Sequence, residues 1–224
     1  MRVAWYIVLV LAIDTSTPAV TAGVVRFDPE SADAPRSLAT RATVDARAHA
    51  EVLTPQILEC LAESGYAPAD LDAVVVGVGP GPFSGLRVGM ATGAAFGDAL
   101  GLPVDGVCSL DEIDADAADG RDLLVVTDAR RREVYWARYS QGKRVEGPEV
   151  IKPSDLDGEP SQVIAGSASH VDLFDLPVLP VETPSPAGLV AVAAQALRVG
   201  VEPEPLVPLY LRRPDAVELA DRRK

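Results

Sequence analysis

The sequence has few of the residues that build disulfides, metal sites and catalytic groups. Two of its 224 residues are cysteines and two are histidines. Cys60 and Cys108 lie far apart in apolar stretches, so we expect free buried thiols rather than a disulfide framework. His49 and His170 are isolated, whereas metal sites and Ser-His-Asp or Cys-His groups need several partners. We therefore predict no metal site and no catalytic residue, and we interpret His49 as a helix cap or surface residue.

Positive charge is also scarce. The chain has twenty lysines and arginines and thirty-three acidic residues, which gives a net charge of −13. A protein that clamps nucleic acid alone needs clustered Lys and Arg to neutralise phosphates, so the composition argues against that class. The last thirteen residues are an exception, because they carry five of the twenty positive charges: Arg212, Arg213, Arg222, Arg223 and Lys224. Such a tail could contact RNA or an acidic partner, or could be a disordered solubilising extension, and composition favours neither.

Long apolar runs are missing as well. The run from Val3 to Ile13 follows Arg2, but it is too short to span a bilayer and has no small-residue cleavage site. We interpret residues 8–14 as a buried strand and residues 1–6 as an extension. The sequence therefore predicts a cytoplasmic protein with no membrane partner.

Strand and helix patterns follow each other in two rounds. The first round predicts strands at 8–14, 20–27 and 37–44, a helix at 49–64, a strand at 73–78, a helix from Ser84, a strand at 104–108 and a short helix from Ser109. The second predicts strands at 123–128, 133–140, 144–151, 163–166 and 177–181, then a helix at 185–199. This order indicates an α/β protein with two β-β-β-led halves, residues 1–112 and an abbreviated second half at 113–224.

Residues 77–101, GVGPGPFSGLRVGMATGAAFGDALG, stand out between a strand and a helix. The amides of the turn at 79–85 could cradle an anion, and Ser84 is a candidate N-cap. The turn lacks the lysine of the GxxxxGK[ST] motif, so the chain is not a P-loop NTPase.

The helix that follows carries a glycine every four residues. Each glycine costs roughly 1 kcal/mol of helix stability against alanine, so we expect another backbone to approach this ridge closely. We predict that the ridge and the helix at 49–64 form a partner interface; the alternative is that the ridge packs on the protein's own sheet, as crossover helices do. The predicted interface residues are Leu53, Ile57, Leu61, Gly85, Gly89, Met90, Gly93 and Gly97.

Polar residues end the first strand of each half. A carboxylate and hydroxyls at the end of a strand suit a phosphate or a metal-bound water, although an Asx or ST turn fits Asp14-Thr15-Ser16-Thr17 equally well. Asp128-Ala129-Arg130 could face them across a cleft, or form a β-turn with solvated arginines. The candidate remnant of a nucleotide or phosphate site comprises Asp14, Thr15, Gly81, Ser84 and Asp128.

Four segments, IDTST, GVGPGPFSGLRVG, DARRREVYWARY and PLYLR, resemble the bacterial TsaB (YeaZ) family along nearly the whole chain. The resemblance implies the actin/Hsp70/sugar-kinase (ASKHA, RNase H-like) fold and a role in making threonylcarbamoyladenosine at position 37 of tRNAs that decode ANN codons. It also implies a non-catalytic subunit that pairs with the catalytic subunit TsaD and the ATPase TsaE. The tRNA would be met through that complex, and the protein would form homodimers when alone.

The TsaD relatives hold a metal through an N-H-x-x-x-H motif, which by order along the fold falls on residues 108–113 here. Ser109 and Ile113 stand in place of its two histidines, and neither side chain suits a borderline metal. The resemblance thus implies no metal and no cofactor, except a nucleotide shared at a complex interface. Two alternatives are an independent ASKHA-type ATP-binding phosphotransferase using Asp14 and the 79–85 turn, and a peptidase, for which the sequence offers no recognisable nucleophile–base pair.

Overall fold

A computed structural model describes residues 7–45, 47–117 and 120–212 of the chain, with the side chains of residues 115 and 116 left out. The first half builds a five-stranded sheet in the order β3-β2-β1-β4-β5. Its elements are β1 (Val8–Asp14), β2 (Ala19–Phe27), β3 (Arg36–Val44), α1 (His49–Ser64), β4 (Ala73–Gly77), α2 (Phe83–Leu100), β5 (Val104–Val107) and α3 (Ser109–Ala117).

The second half builds a four-stranded sheet in the order β8-β7-β6-β9. Its elements are β6 (Leu123–Asp128), β7 (Val134–Ser140), β8 (Lys143–Ile151), β9 (Val163–Gly166), α4 (Ala168–Val171) and α5 (Pro186–Val199). In both sheets the first strand pairs antiparallel with the second and parallel with a later strand, β4 or β9. The prediction of two β-β-β-led halves, the second abbreviated, is confirmed.

The first sheet is covered on both faces. Strands β1 and β4 are almost wholly apolar and buried because helices lie above and below them. Helices α1 and α2 cover one face, where Leu53 and Ile57 pack with Leu11, Ile13 and Val76. The two cysteines are buried and free, as predicted.

Helix α5 covers the other face of the first sheet, which corrects the predicted division of the chain. Leu189, Val190 and Ala193 pack against Val10 and Ala12 of β1. The last helix of the predicted second half thus belongs to the core of the first sheet. A cut between residues 112 and 113 does not separate two packing units, because the chain returns to its starting sheet.

Two local predictions are wrong. The segment at 177–181 is not a regular strand. It meets β9 by one bridge between Ile164 and Val178 and by a bond from the Gly166 amide to the Val181 carbonyl. Pairing does not continue because Pro177 has no amide hydrogen and the Val181 amide donates to the Leu179 carbonyl. Ser84 is not an N-cap. Helix α2 begins one residue earlier, after Pro82, without a side-chain cap, and Ser84 is exposed.

Residues 201–212, which we call the C-terminal strap, run without regular structure towards the second sheet. The backbone amide of Leu209 donates to the Val78 carbonyl at 2.9 Å, and Leu209 and Leu211 pack on the core around β6 and β7. The Arg212 guanidinium lies 2.7 Å from the Glu133 carboxylate and donates to the Ala129 carbonyl at 2.6 Å. Arg212 is therefore part of the folded protein and not of a free tail; Arg213, Arg222, Arg223 and Lys224 lie outside the described residues.

In the described part of the chain, none of the helices combines the length and the apolar character needed to cross a bilayer.

Candidate functional site

Asp14 lies at the end of β1 and is 1% exposed. Its Oδ1 atom accepts from the Ser16 amide at 2.8 Å and the Ser16 hydroxyl at 2.7 Å, and its Oδ2 atom accepts from the Ser109 hydroxyl at 2.6 Å. Burial raises the pKa of Asp14, and these hydrogen bonds oppose that shift. Both carboxylate oxygens thus have internal donors, so Asp14 forms an Asx turn that joins β1 to α3 instead of facing a phosphate.

Thr15 attaches α2 to the end of β1. Its Oγ1 atom donates to the Gly85 carbonyl at 2.8 Å and accepts from the Gly89 amide at 3.1 Å. The side chain is fully buried beneath the first turns of the helix. Thr15 is therefore a packing residue here, and the predicted phosphate contact is replaced by contacts to the helix backbone.

The glycine ridge of α2 faces the protein's own sheet. A Cβ atom added at Gly85 or Gly89 would lie well within 3.0 Å of Thr15, one at Gly93 would overlap Val76, and one at Gly97 would overlap Val104. The partner role predicted for these glycines is wrong, and the alternative of internal packing is confirmed. Among the other predicted interface residues, Leu53, Ile57 and Leu61 are also buried in the protein's own core, while Met90 is partly exposed.

The opposite sides of α1 and α2 are exposed. Charged residues such as Glu59 and Asp98 are exposed there, but small and apolar residues lie between them, and Leu58 is 52% exposed. We call this surface the outer helix face, and its members are Pro55, Leu58, Ala62, Ala91 and Ala95.

A cleft of about 740 Å³ separates the two halves. Three of the predicted phosphate-site residues line it: Gly81 and Ser84 from the first half and Asp128 from the second. Asp14 and Thr15 lie buried next to the cleft and do not line it. The structure therefore brings together only part of the predicted set.

Arginines dominate the charge of this cleft. Arg47, Arg130, Arg131 and Arg212 line it, and Asp128 is the one acidic side chain among its described lining residues. The sequence left open whether Asp128-Ala129-Arg130 faces a cleft or forms a solvated β-turn, and the structure places Asp128 and Arg130 in the cleft lining. The concentration of arginines was missed because Arg47 and Arg212 are distant from Arg130 in sequence. The signal was the run of three arginines, RRR, at a predicted hairpin end.

The turn between β6 and β7 holds its arginines in a costly backbone conformation. Arg130, Arg131 and Arg132 have φ angles of 63°, 53° and 65°, and the left-handed region costs an L-residue about 1–2 kcal/mol. The turn is closed by the Arg130 amide, which donates to Asp128 Oδ1 at 2.7 Å, and by a 3.0 Å bond from the Glu133 amide to the Arg130 carbonyl. Sparsely populated conformations of this kind cluster at functional sites.

Aromatic rings form one side of the cleft mouth. The Phe83 and Tyr210 rings have centroids 5.0 Å apart, and both are partly exposed, at 47% and 40%. The Arg87 guanidinium lies 5.1 Å from the Phe83 ring centroid. On the buried side, His49 Nε2 lies 3.0 Å from the Thr17 carbonyl, so His49 is not the cap or surface residue that the sequence predicted.

The positions aligned with the TsaD metal motif are used internally. Ser109 bonds to Asp14, and Ile113 is fully buried with Leu110 and Val125. Within the described ranges there is no group of three or more His, Cys, Asp or Glu side chains that could hold a metal ion. The absence of a bound metal stays a prediction for measurement.

His170 has more polar neighbours than its sequence surroundings suggest. Its Nδ1 atom lies 2.9 Å from the Ser169 hydroxyl, and its Nε2 atom lies 3.7 Å from Asp128 Oδ1. The second distance exceeds a hydrogen bond, and Ser169 is exposed on a four-residue helix outside the cleft. These three residues therefore do not form a catalytic triad in this structure.

Comparison with known proteins gives one consistent set of relatives. The family model of TsaD, described as tRNA N6-adenosine threonylcarbamoyltransferase, matches residues 42–215. The tRNA threonylcarbamoyladenosine biosynthesis protein TsaB of Escherichia coli is 31% identical over 91% of this chain and 94% of its own length. An uncharacterized protein of Mycobacterium tuberculosis is 58% identical over 94% of this chain and 95% of its own length. The structure of YeaZ from Pseudomonas aeruginosa is similar with a TM-score of 0.73 and 26% identity, covering 90% of this chain and 100% of that one.

Proposed function

Because this chain belongs to the TsaB (YeaZ) family of tRNA threonylcarbamoyladenosine biosynthesis proteins, we propose that it is a non-catalytic subunit of the complex that makes this nucleoside. The modified position would be adenosine 37 of tRNAs that decode ANN codons. The family and its ASKHA-type fold are supported along almost the whole length of the chain.

One observation carries the non-catalytic part of this proposal. The carboxylate at the end of β1, which would be the natural ligand of a phosphate-bound metal, has both oxygens bonded to Ser16 and Ser109. A phosphotransferase would need that carboxylate turned towards the cleft. The fold is therefore retained while the Asp14 carboxylate is occupied, which disfavours the alternative of an independent ATP-binding phosphotransferase.

The catalytic partner would be a TsaD-like subunit, and a TsaE-like ATPase would join the complex. The outer helix face is the surface that we assign to the TsaD-like partner, because α1 and α2 expose alanines and Leu58 there. Small side chains allow two helices to approach closely, and an exposed apolar patch is typical of an interaction site. The same face would form a homodimer when the partner is absent.

The proposal includes no resident cofactor or metal. A nucleotide would be held, if at all, at a surface shared with a partner, and tRNA would be met within the complex. The protein would act in the cytoplasm with the other subunits.

Co-elution tests the proposal directly. The protein is mixed with the TsaD-like subunit of the same organism and analysed by size-exclusion chromatography, and its ATP turnover is measured alone. We expect a stable complex and no ATP hydrolysis by the isolated chain. Separate elution together with ATP turnover would instead support the phosphotransferase alternative.

A further inference from the structure

We propose that the cleft between the two halves binds single-stranded RNA, with phosphates at its arginines and a base on the Phe83–Tyr210 pair. That this RNA belongs to the tRNA substrate rests on the proposed function. The binding of RNA by the cleft is a separate claim and is tested separately below.

The first support is the charge of the cleft. Arg47 and Arg130 are exposed at its rim, and neither takes part in the ion pairs found among the described residues. Arg131 also lines the cleft, and Arg212 is engaged by Glu133. A planar guanidinium matches the geometry of a phosphate through two parallel hydrogen bonds. In a chain of net charge −13, two exposed arginines from different halves beside one opening indicate an anionic ligand.

The second support comes from the start of α2, which lines the cleft at residues 82–85. Among the described residues, the first amide of this helix with a backbone acceptor is that of Leu86, which donates to the Pro82 carbonyl at 3.1 Å. The amides of the exposed residues Phe83 and Ser84 therefore have no backbone acceptor in the described part of the chain, and they lie at the positive end of an 18-residue helix. They lie on the same cleft as the arginines, so both features favour the same kind of ligand.

The aromatic pair favours RNA over an acidic peptide. Phe83 and Tyr210 line the same cleft, and their rings are partly exposed. Nucleobases stack on such rings without regard to sequence, whereas a glutamate-rich peptide gains nothing from them. The combination of arginines beside a stacking surface is typical of single-strand binding.

The internal hydrogen bonds of the Asp14 carboxylate favour RNA over a free nucleotide as the ligand of the cleft. A nucleotide triphosphate is normally bound with a metal ion that a carboxylate helps to hold, and Asp14 is occupied by Ser16 and Ser109. Arg47 and Arg130 are exposed and come from different halves of the fold. A chain that crosses the opening can contact both arginines through successive phosphates.

The test uses a fluorescently labelled anticodon stem-loop RNA of an ANN-decoding tRNA and measures anisotropy at several salt concentrations. Binding is measured for the full chain alone and with the TsaD-like subunit. The cleft variant is R47E/R130E. The control is R36E/R132E, which changes the net charge equally, and Arg132 shares the left-handed backbone of Arg130 without lining the cleft.

We expect RNA binding that weakens with salt, and a loss of tenfold or more in R47E/R130E but not in R36E/R132E. The slope of log affinity against log salt should fall by about 0.7 for each phosphate contact removed. Tyr210→Ala should weaken binding about fivefold or more, because one stacked base is lost. Tyr66→Ala is its control, because Tyr66 is similarly exposed, at 43%, and lies outside the cleft.

Several outcomes would overturn the proposal. The first is no detectable RNA binding by the wild-type chain, either alone or with the TsaD-like subunit. The second is an equal loss of affinity in R47E/R130E and R36E/R132E. The third is displacement of the RNA by poly-glutamate at equal carboxylate concentration, or by ATP at equal phosphate concentration. The R47E/R130E variant should still co-elute with the TsaD-like subunit. If the wild-type chain binds RNA but no TsaD-like subunit, the proposed function fails while the cleft proposal stands.

Discussion

Asp114 of α3 is a buried carboxyl whose Oδ1 atom has no hydrogen-bond partner among the described residues. Burial raises the pKa of Asp114 to about 6, with the neighbouring Asp111 as the second cause. The unfolded chain therefore loses this proton at a lower pH than the folded protein does. The free energy of unfolding should fall as pH rises from about 4 to about 6, by at most roughly 3 kcal/mol from this group.

Asp114→Asn removes the buried charge and should remove this part of the pH dependence. Urea denaturation at pH 4.5 and 7.5 should show a smaller loss of stability in the variant, with higher stability than wild type at pH 7.5. Asp98→Asn makes the same chemical change at an exposed position of α2 and serves as the control. Equal pH dependence in Asp114→Asn and wild type would contradict the assignment.

At the residue scale, the sequence predicted which polar groups end the strands but not where their atoms point. The choice between a turn and a ligand site at Asp14 depended on Ser109, which lies 95 residues away and donates to Oδ2. Local pattern contains no information on such a contact. The gathering of arginines at the cleft was missed for the same reason, because Arg47 and Arg212 are brought to Arg130 only by the fold.

At the element scale, α2 has two sides with different roles, and two substitutions separate them. Gly93→Leu places a side chain against Val76 and should lower the free energy of unfolding by about 1–3 kcal/mol or more, with a lower melting temperature. Ala95→Leu lies on the outer helix face and should melt like wild type but fail to co-elute with the TsaD-like subunit. A stable Gly93→Leu protein, or an Ala95→Leu protein that still binds its partner, would contradict these assignments.

The C-terminal strap is a second element with a testable role. Truncation after Pro205 removes Leu209 and Leu211 from the core of the second sheet and should destabilise the protein by about 2–5 kcal/mol. Truncation after Arg212 keeps these contacts and should melt like the full chain. Thermal denaturation of both proteins decides the matter, and equal melting temperatures would show that the strap contributes no stability.

The truncation after Arg212, which removes residues 213–224, also tests the role of the basic tail. If removal of residues 213–224 leaves tRNA modification and complex formation unchanged, the tail is a solubilising extension. If modification is lost while the complex still forms, the tail contacts tRNA.

Most elements were predictable because periodicity and turn residues are local signals. Helix α1 begins and ends where the sequence predicted, at His49 and Ser64, and β1 and β6 also agree. Which face of an element is covered was not predictable. The glycine spacing of α2 indicated a close approach but not that the neighbour was the protein's own sheet, and nothing local places α5 on β1.

At the scale of the whole molecule, the net charge is negative while the cleft between the two halves is positive. The chain is strongly acidic, yet arginines from both halves surround one cleft. A ligand at that cleft would meet a positive surface within a few ångströms, while salt screens the distant acidic groups beyond about 10 Å. Composition alone therefore argued against a protein that clamps nucleic acid by itself, but it could not reveal a local site.

The central claim is that this fold acts through its partner rather than through chemistry of its own. The measurement that tests it most directly is threonylcarbamoyladenosine formation on an ANN-decoding tRNA, reconstituted with the TsaD-like subunit, the TsaE-like ATPase and the threonylcarbamoyl-adenylate donor. We expect little modified tRNA without this protein, full activity with wild type, and none with Ala95→Leu. We expect a folded Asp14→Asn protein to retain activity, because both carboxylate oxygens of Asp14 are bonded to Ser16 and Ser109. Equal modification with and without the protein, or modification that is lost in a folded Asp14→Asn protein that still binds its partner, would contradict the account.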